Sequence, residues 1–221
     1  MTQRISGLKD EEADVLGREI IDSCTHLLGR AANSTRILAK HSPYVSRWFL
    51  GFVAALRQPD LGASTEPRLR SLATIKTSMI NECEYCTSHT SLYGEALGLT
   101  KAELEEMKGD AWKTSPSFSE RDKAAIAWSE AMTLNTAKQD AALWADMKLL
   151  FSESEIVEIS MCCGLFNLLN RFNDSLWVDL EPEDFNRRQG RAIAGVSIED
   201  LEAYAGRFSG VGDASRRQAA E

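Results

Sequence analysis

Residues 82–89 read Glu-Cys-Glu-Tyr-Cys-Thr-Ser-His, and they place Cys83 and Cys86 three positions apart, with His89 a further three positions on. Two thiols at this spacing serve reversible disulfide chemistry, half of a zinc site or an iron–sulfur ligand set. A histidine one helical turn further on adds a base that can take the proton of a nearby thiol. The stretch therefore indicates thiol redox chemistry within an otherwise helical sequence.

If residues 82–90 are helical, successive side chains are rotated by about 100° around the axis. Cys83 and Cys86 then share one face, and His89 lies beside Cys86 and farther from Cys83. We therefore predict that Cys86 is the activated thiol and Cys83 its resolving partner. A helix N-terminus together with an imidazolium could lower the thiol pKa from about 8.5 to about 6.5.

A catalytic histidine usually needs an acid that orients it. Glu158, on a second helix, is the predicted acid for His89. Two segments align here, because Ser71 precedes Cys83 by twelve residues and Glu158 precedes Asn170 by the same distance. The alignment predicts an internally duplicated helical unit, although two amphipathic helices can also align by chance.

The remaining cysteines suggest neither a disulfide framework nor a metal site. Five cysteines are an odd number in a chain whose residues are 43% hydrophobic. A structural zinc ion needs four ligands, and the 82–89 stretch provides three. Cys24 and the adjacent Cys162 and Cys163 are predicted to be buried small hydrophobic residues. We expect no bound metal or cofactor.

Composition narrows the location and the partners. The formal charge of −8, from 25 basic and 33 acidic residues, disfavours binding to nucleic acid or to an anionic membrane. No apolar run is long enough to span a membrane, and Met1–Glu12 is too polar for a secretory signal. We therefore expect a cytoplasmic protein. The apolar stretch 156–169 exceeds the needs of one small core and predicts a homo-oligomer.

Strand patterns are nearly absent, whereas helix signals follow one another along the chain. Three capping-box patterns predict helix starts. They are Thr100 with Glu103, Ser119 with Asp122, and Ser152 with Glu155. We predict an all-α fold, with a single helical domain over residues 1–205 and a mobile tail over residues 206–221.

Four stretches resemble the alkylhydroperoxidase D / carboxymuconolactone decarboxylase-like family, and the similarity covers about residues 40–180. They are residues 68–73, 81–89, 118–125 and 170–174. The resemblance implies an alkylhydroperoxidase D-like all-helical fold, homo-oligomers, and thiol-dependent reduction of hydroperoxides without a metal. It also implies that Cys86 attacks the peroxide, that Cys83 resolves the product, and that an unidentified dithiol is the reductant.

Two positions depart from the alkylhydroperoxidase pattern. Ser71 stands where the family has a glutamate, and Thr90 stands where it has the histidine, so the proton relay is rearranged or incomplete. One alternative is a decarboxylase-like enzyme acting on a small carboxylated molecule, with cationic side chains in its pocket. Candidate cations are Arg68, Arg70, Lys76 and Arg171. The other alternative is a redox-responsive module that is not an enzyme.

Overall fold

The computed structural model describes residues 2–182 and 196–207. Every regular element in these two ranges is a helix, which confirms the predicted all-α class. The α-helices are α1 (Val15–Leu28), α2 (Asn33–His41), α3 (Pro43–Arg57), α4 (Pro67–Ile80), α5 (Glu84–Ala96), α6 (Lys101–Lys108), α7 (Glu120–Thr133), α8 (Ala141–Leu150), α9 (Glu153–Leu176) and α10 (Ile198–Gly206). Single 3-10 turns lie at Asp10–Glu12, Ala111–Lys113 and Ala137–Gln139.

The three predicted capping boxes are confirmed. They open α6, α7 and α9, and in each one the N-cap hydroxyl accepts a hydrogen bond from the backbone N–H three residues on. The carboxylate of that third residue accepts a bond from the N-cap backbone in return. Local sequence therefore sets where these helices begin, because two otherwise unsatisfied donors are satisfied at each start.

Helix α4 is the centre of the molecule, and all ten residues from Leu69 to Ser78 are buried. It packs against α5, α7 and α9. One side of α4 meets α7 and α9 through Leu69 and Ala73, and the other side meets α6 and α7 through Leu72 and Ile75. A helix that is covered on all sides can hold the elements at its ends in fixed positions.

Helices α1, α2 and α3 form a second layer, and α10 packs on α1 and α3. This layer has its own apolar core, which includes Ile20, Leu27, Leu50 and Tyr204. It joins the central helices where α3 meets α4 and α9. A cavity lies between this layer and the helices α5 and α9.

Two predictions about the organisation of the chain remain untested. The tail was predicted to begin at residue 206, but Gly206 still belongs to α10, and residues 208–221 lie outside the described ranges. The duplicated unit also stays a prediction, because α4 and α5 are separate helices whereas the matching stretch of α9 is continuous. No helix in the described ranges combines the length and the apolar character that a bilayer span requires.

Candidate active site

The turn between α4 and α5 places both cysteines of the 82–89 stretch. The Cys83 N–H donates to the Ser78 carbonyl at 3.1 Å and the Glu82 N–H donates to the Met79 carbonyl at 3.1 Å, which is the Schellman arrangement. Glu82 has the positive φ of 55° that this arrangement requires. The reversal makes Cys83 the N-cap of the next helix, so the thiols lie at a helix start rather than within one long helix.

The two thiols are buried and have different partners. The Cys83 sulfur accepts the backbone N–H of Cys86 at 3.3 Å. The Cys86 sulfur accepts an N–H from the side chain of Asn173 on α9 at 3.1 Å. Cys86 lies in the first turn of α5, where unsatisfied backbone N–H groups and the helix dipole favour negative charge.

These contacts separate the acidities of the two thiols. A hydrogen bond from the Cys83 thiol is the largest contribution lowering the pKa of Cys86, and the amide of Asn173 lowers it further. The pKa of Cys83 is raised, first by its hydrogen bond to Cys86 and then by burial. Cys86 is therefore the thiol that ionises first, in the direction that the sequence predicted.

His89 contacts an acid that the sequence did not indicate. Its Nε2 lies 2.7 Å from Oε2 of Glu181, and both side chains are buried, at 9% and 4% exposure. Glu181 also accepts the Tyr85 hydroxyl at 2.9 Å and the Asn33 backbone N–H at 2.6 Å, and Nη1 of Arg30 lies 3.5 Å away. These partners hold the carboxylate in its ionised form.

The protonation state of this pair follows from its surroundings. Burial opposes ionisation of Glu181, but its bond to His89 and its neighbours outweigh that cost and lower its pKa to about 2. Burial, the largest contribution, lowers the pKa of His89, so the imidazole is neutral near pH 7. Because the carboxylate accepts, Nε2 carries the imidazole hydrogen. Nδ1 is then an unprotonated base, and it has no hydrogen-bond partner among the described residues.

The prediction that Glu158 orients His89 is wrong. The Glu158 carboxylate accepts the backbone N–H groups of Ser64 at 2.9 Å and Thr65 at 2.7 Å, and the Thr65 hydroxyl at 2.6 Å. It fastens the loop before α4 to the start of α9. The expected effect of a His89 imidazolium on the Cys86 pKa is also corrected, because the imidazole is neutral and the main contributions come from Cys83 and Asn173.

Thr90 and Ser71, at the two positions that depart from the family pattern, make no proton-relay contact among the described residues. The Thr90 hydroxyl donates to the Cys86 backbone carbonyl at 2.9 Å. Ser71 is buried, and its hydroxyl has no hydrogen-bond partner among the described residues. In this chain the carboxylate–imidazole pair is formed instead by Glu181 and His89.

A cavity of about 70 Å³, partly open to solvent, lies beside these groups. Its apolar lining comes mainly from α3 and α9, with Phe49, Leu50, Val53, Phe166 and Leu169. Beside the Cys86 thiol, the polar lining includes the side chains of Arg30, Ser34, Thr35, Ser46, Arg57, Tyr85, His89 and Asn173.

The other three cysteines are buried and their pKa values are raised by burial. That of Cys162 rises to about 12. Cys163 accepts the Thr77 hydroxyl at 3.2 Å, and the Cys24 thiol donates to the Arg30 carbonyl at 3.1 Å. Cys24, Cys162 and Cys163 are buried, as the sequence predicted. Of the five cysteines, only Cys86 has a lowered pKa.

The four cations proposed for a decarboxylase pocket do not line the cavity. Arg68 pairs with Glu103 and Asp122, and Arg171 donates to Asn167. Arg70 donates to backbone carbonyls before α4, and Lys76 donates to the Met107 carbonyl and pairs with Glu130. Arg30 and Arg57 are the cations in the cavity lining, and no sequence spacing singled them out. Residues 2–182 and 196–207 contain no group of three or more His, Cys, Asp or Glu side chains arranged to hold a metal.

Comparison with known proteins agrees with this architecture. The Carboxymuconolactone decarboxylase family matches residues 43–131, from the start of α3 into α7. The overall helical fold is shared with alkylhydroperoxidase D-like structures. The family match over residues 43–131 and the alkylhydroperoxidase D-like solved structures agree with the resemblance found in the sequence.

Individual relatives are distant. The Escherichia coli K12 protein YnjA, itself described as uncharacterized, is 28% identical over 134 residues, or 60% of this chain and 69% of that protein. The apo crystal structure of the debrominase Bmp8 matches with a TM-score of 0.68 and 20% identity, covering 87% of this chain and 99% of that one. The alkylhydroperoxidase AhpD core of a peroxidase-related protein from Ralstonia eutropha gives a TM-score of 0.68 at 18% identity, covering 84% and 96%. The two structural matches establish the fold.

Proposed function

We propose that the protein is a cytoplasmic, thiol-dependent oxidoreductase that reduces hydroperoxides through a reversible Cys83–Cys86 disulfide. The observation that carries the proposal is the asymmetry of the thiol pair. Cys86 is the more acidic thiol and lines the cavity, whereas Cys83 lies behind it at the N-cap of α5. An attacking thiolate that faces a substrate, with a second thiol in reserve, is what the reaction needs.

The first half of the reaction uses His89 as a proton carrier. Nδ1 of His89 takes the Cys86 proton, and the thiolate attacks the terminal oxygen of the hydroperoxide. A sulfur–oxygen bond forms as the oxygen–oxygen bond breaks, which leaves a sulfenic acid on Cys86. His89 then returns the proton to the departing alkoxide, so that an alcohol leaves. Glu181 stabilises the imidazolium during this transfer.

The second half restores the enzyme. The Cys83 thiol attacks the Cys86 sulfur, a disulfide forms, and the sulfenic oxygen leaves as water. An external dithiol then reduces the disulfide and is itself oxidised. Asn173 donates to the Cys86 sulfur and keeps it in place while its charge changes.

Peroxide consumption with a dithiol reductant tests the proposal. We expect Cys86→Ser to abolish turnover and Cys83→Ser to stop after a single oxidation of Cys86. Cys162→Ser is the matched control, since this thiol is buried and has a raised pKa, and it should keep wild-type turnover. Peptide mapping should find a Cys83–Cys86 disulfide after mild peroxide treatment. Wild-type protein that consumes no peroxide, or in which both thiols stay free, would overturn the proposal.

Two alternatives use the same pocket differently. A decarboxylase-like enzyme would need no thiol, so Cys86→Ser would keep activity on a carboxylated lactone. A non-enzymatic redox module would form the disulfide once without catalytic turnover. The four cations first considered for carboxylate binding are engaged elsewhere, which weakens the original form of the first alternative.

A halogenated aromatic compound is a second substrate class for the same thiol. The cavity beside Cys86 has mainly apolar walls that include Phe49 and Phe166. A variant of the structurally similar debrominase Bmp8 has been crystallised with 2,3,4-tribromopyrrole. Release of bromide from this compound, measured with the same dithiol and the same cysteine variants, tests this possibility. Bromide release that survives Cys86→Ser would exclude it.

The proposal includes a homo-oligomer. Val157, Met161 and Leu168 follow one another along α9 and are 60%, 43% and 55% exposed. An exposed apolar stripe of this kind is stabilised when a second copy covers it. Light scattering at micromolar concentration should give a mass that is a multiple of 24.5 kDa. A monomer at that concentration would contradict this part of the proposal.

A further inference from the structure

One cation in the cavity lining, Arg57, forms no ion pair within residues 2–182 and 196–207. Arg57 is the last residue of α3, and its guanidinium carbon lies 4.3 Å from the centre of the Tyr93 ring and 5.5 Å from that of Phe166. Its Nε and Nη2 atoms are buried and have no hydrogen-bond partner among the described residues. No described carboxylate forms an ion pair with it.

Three other buried cations each have an acceptor for at least one N–H group. Arg70 and Lys76 donate to backbone carbonyls, and Arg30 pairs with Glu181. Leaving charged donors buried without acceptors costs free energy. Burial accordingly lowers the pKa of Arg57. Such a cost is expected where the missing partner is a ligand.

We propose that Arg57 binds a carboxylate of the substrate, so that the protein acts on small molecules with an apolar body, a reactive centre at Cys86 and an acidic group at Arg57. This inference rests on the proposed thiol chemistry, since it names the substrate class of the same cavity. Arg57 is then a specificity-determining residue. It selects carboxylated hydroperoxides over neutral ones.

The arrangement of the two buried Arg57 nitrogens favours a carboxylate as the ligand. Nε and Nη2 form one edge of the guanidinium fork, and two parallel N–H groups on that edge match the two oxygens of a carboxylate. The rings of Tyr93 and Phe166 hold the guanidinium and restrict its rotation. The apolar lining from Val53 and Leu50 suits the hydrocarbon body of such a substrate.

Alkylation of Cys86 tests this inference without any peroxide. Iodoacetate and iodoacetamide both transfer their carbon to a thiolate and release iodide, but only iodoacetate carries a carboxylate. The ratio of their rate constants at Cys86, at fixed pH and ionic strength, cancels any change in the thiolate fraction. We expect Arg57→Gln to lower this iodoacetate-to-iodoacetamide ratio by roughly tenfold or more, the size expected for charge-assisted hydrogen bonds. Arg57→Lys, which keeps the charge but loses the fork, should give an intermediate ratio.

Arg171→Gln is the matched control, because it removes one positive charge outside the cavity and should leave the ratio unchanged. A ratio that is the same in Arg57→Gln and wild type would overturn the inference. An equal fall in Arg57→Gln and Arg171→Gln would overturn it as well, since it would reflect only the net charge. Either result leaves peroxide turnover by the wild type as a separate question.

Competition in the wild-type protein covers the case in which Arg57→Gln does not fold. We expect 4-isopropylbenzoate to slow the labelling of Cys86 by iodoacetamide in a saturable manner. The neutral 4-isopropylbenzamide, which has the same shape, should protect at least tenfold more weakly. Equal protection by the two compounds, or protection by neither, would contradict the assignment of Arg57.

Discussion

Two carboxylates near opposite ends of helix α9, Glu158 and Glu181, have different tasks. Near the N-terminal end, Glu158 is partly exposed and accepts two backbone N–H groups and a hydroxyl from the loop before α4. Beyond the C-terminal end, Glu181 is buried and contacts His89, Tyr85 and Arg30. The same chemical group fastens a loop in one place and sets a protonation state in the other. Burial and the nature of the partner make the difference.

Turnover should separate the two carboxylates most strongly. Glu181→Gln removes the charge that stabilises the imidazolium of His89, so we expect peroxide-driven oxidation of Cys86 to slow by about 100-fold. Glu158→Gln should change the rate by less than about twofold, since its partners are loop amides. Stopped-flow measurement of Cys86 oxidation compares the two variants. Similar rates in the two variants would show that the carboxylate beside His89 does not contribute to catalysis.

Stability against pH is the next contrast. The folded pKa of Glu181, about 2, lies below the ordinary value of 4.5, so its ionised form stabilises the fold above pH 4.5. That contribution is lost as the pH falls from 4.5 towards 2. We expect Glu181→Gln to lower the free energy of unfolding by about 2 kcal/mol at pH 7. The difference from wild type should shrink as the pH falls through this range.

Urea titrations from pH 7 down to the lowest pH at which the wild type folds will measure this difference. The pKa of Glu158 is also lowered, so Glu158→Gln should show the same sign. Its effect should be smaller, because that side chain is partly exposed. A Glu181→Gln difference that does not change between pH 5 and the acid limit would contradict the assigned pKa.

Two asparagines on α9 offer a matched test of thiol tuning. Asn173 donates to Cys86 and Asn167 donates to Cys163 at 3.4 Å. Asn173→Ala should raise the pKa of Cys86 and slow its alkylation at neutral pH by up to roughly tenfold, the equivalent of about one pKa unit. Asn167→Ala should leave that rate unchanged. Rates of iodoacetamide labelling between pH 5 and 9 give the pKa directly.

His89→Ala should shift the pKa of Cys86 less than Asn173→Ala does, because the imidazole is neutral and is not among the main causes of the lowered pKa. A larger shift with His89→Ala would restore the expectation drawn from the sequence, in which an imidazolium activates Cys86.

The chain reversals that end α4 and α9 are expected to differ least, in the effect of a glycine substitution on the free energy of unfolding. Both place a non-glycine residue at positive φ, Glu82 at 55° and Trp177 at 48°. Glu82→Gly removes the cost of the left-handed conformation and should raise the free energy of unfolding by about 0.5–1 kcal/mol. Trp177→Gly should gain less or destabilise, since Arg4 stacks on the Trp177 ring at 3.9 Å. The urea midpoints of the two variants, compared with that of the wild type, measure both changes in stability.

The sequence predicted the parts of the site that depend on local spacing. The capping boxes and the helical class follow from residues close together in the chain, and both agree with the structure. The assignment of Cys86 as the activated thiol stays a prediction. Residues 82–89 were expected to be helical, but the helix begins only at Glu84. Cys83 therefore reaches Cys86 through a cap contact.

Glu181 could not be predicted in this way. It lies 92 residues after His89 and follows the reversal at Trp177, which no glycine marks. Its position depends on how the chain returns from α9 to the start of α2, where Asn33 donates its side-chain amide to the Asp179 carbonyl. Arg57 was not predicted from the sequence for a related reason. A lone arginine at a helix end usually faces solvent, and only the packing of α3 on α9 turns it inward.

The five free cysteines also allow local unfolding of this chain to be measured without added probes. Four of the thiols are buried with raised pKa values, so a dilute alkylating agent reaches them only when their surroundings unfold transiently. Cys24 samples the outer helical layer, Cys162 the contact of α9 with α3, and Cys163 the centre between α4 and α7. Rates of native-state thiol labelling would thus give an opening free energy for each layer within one molecule.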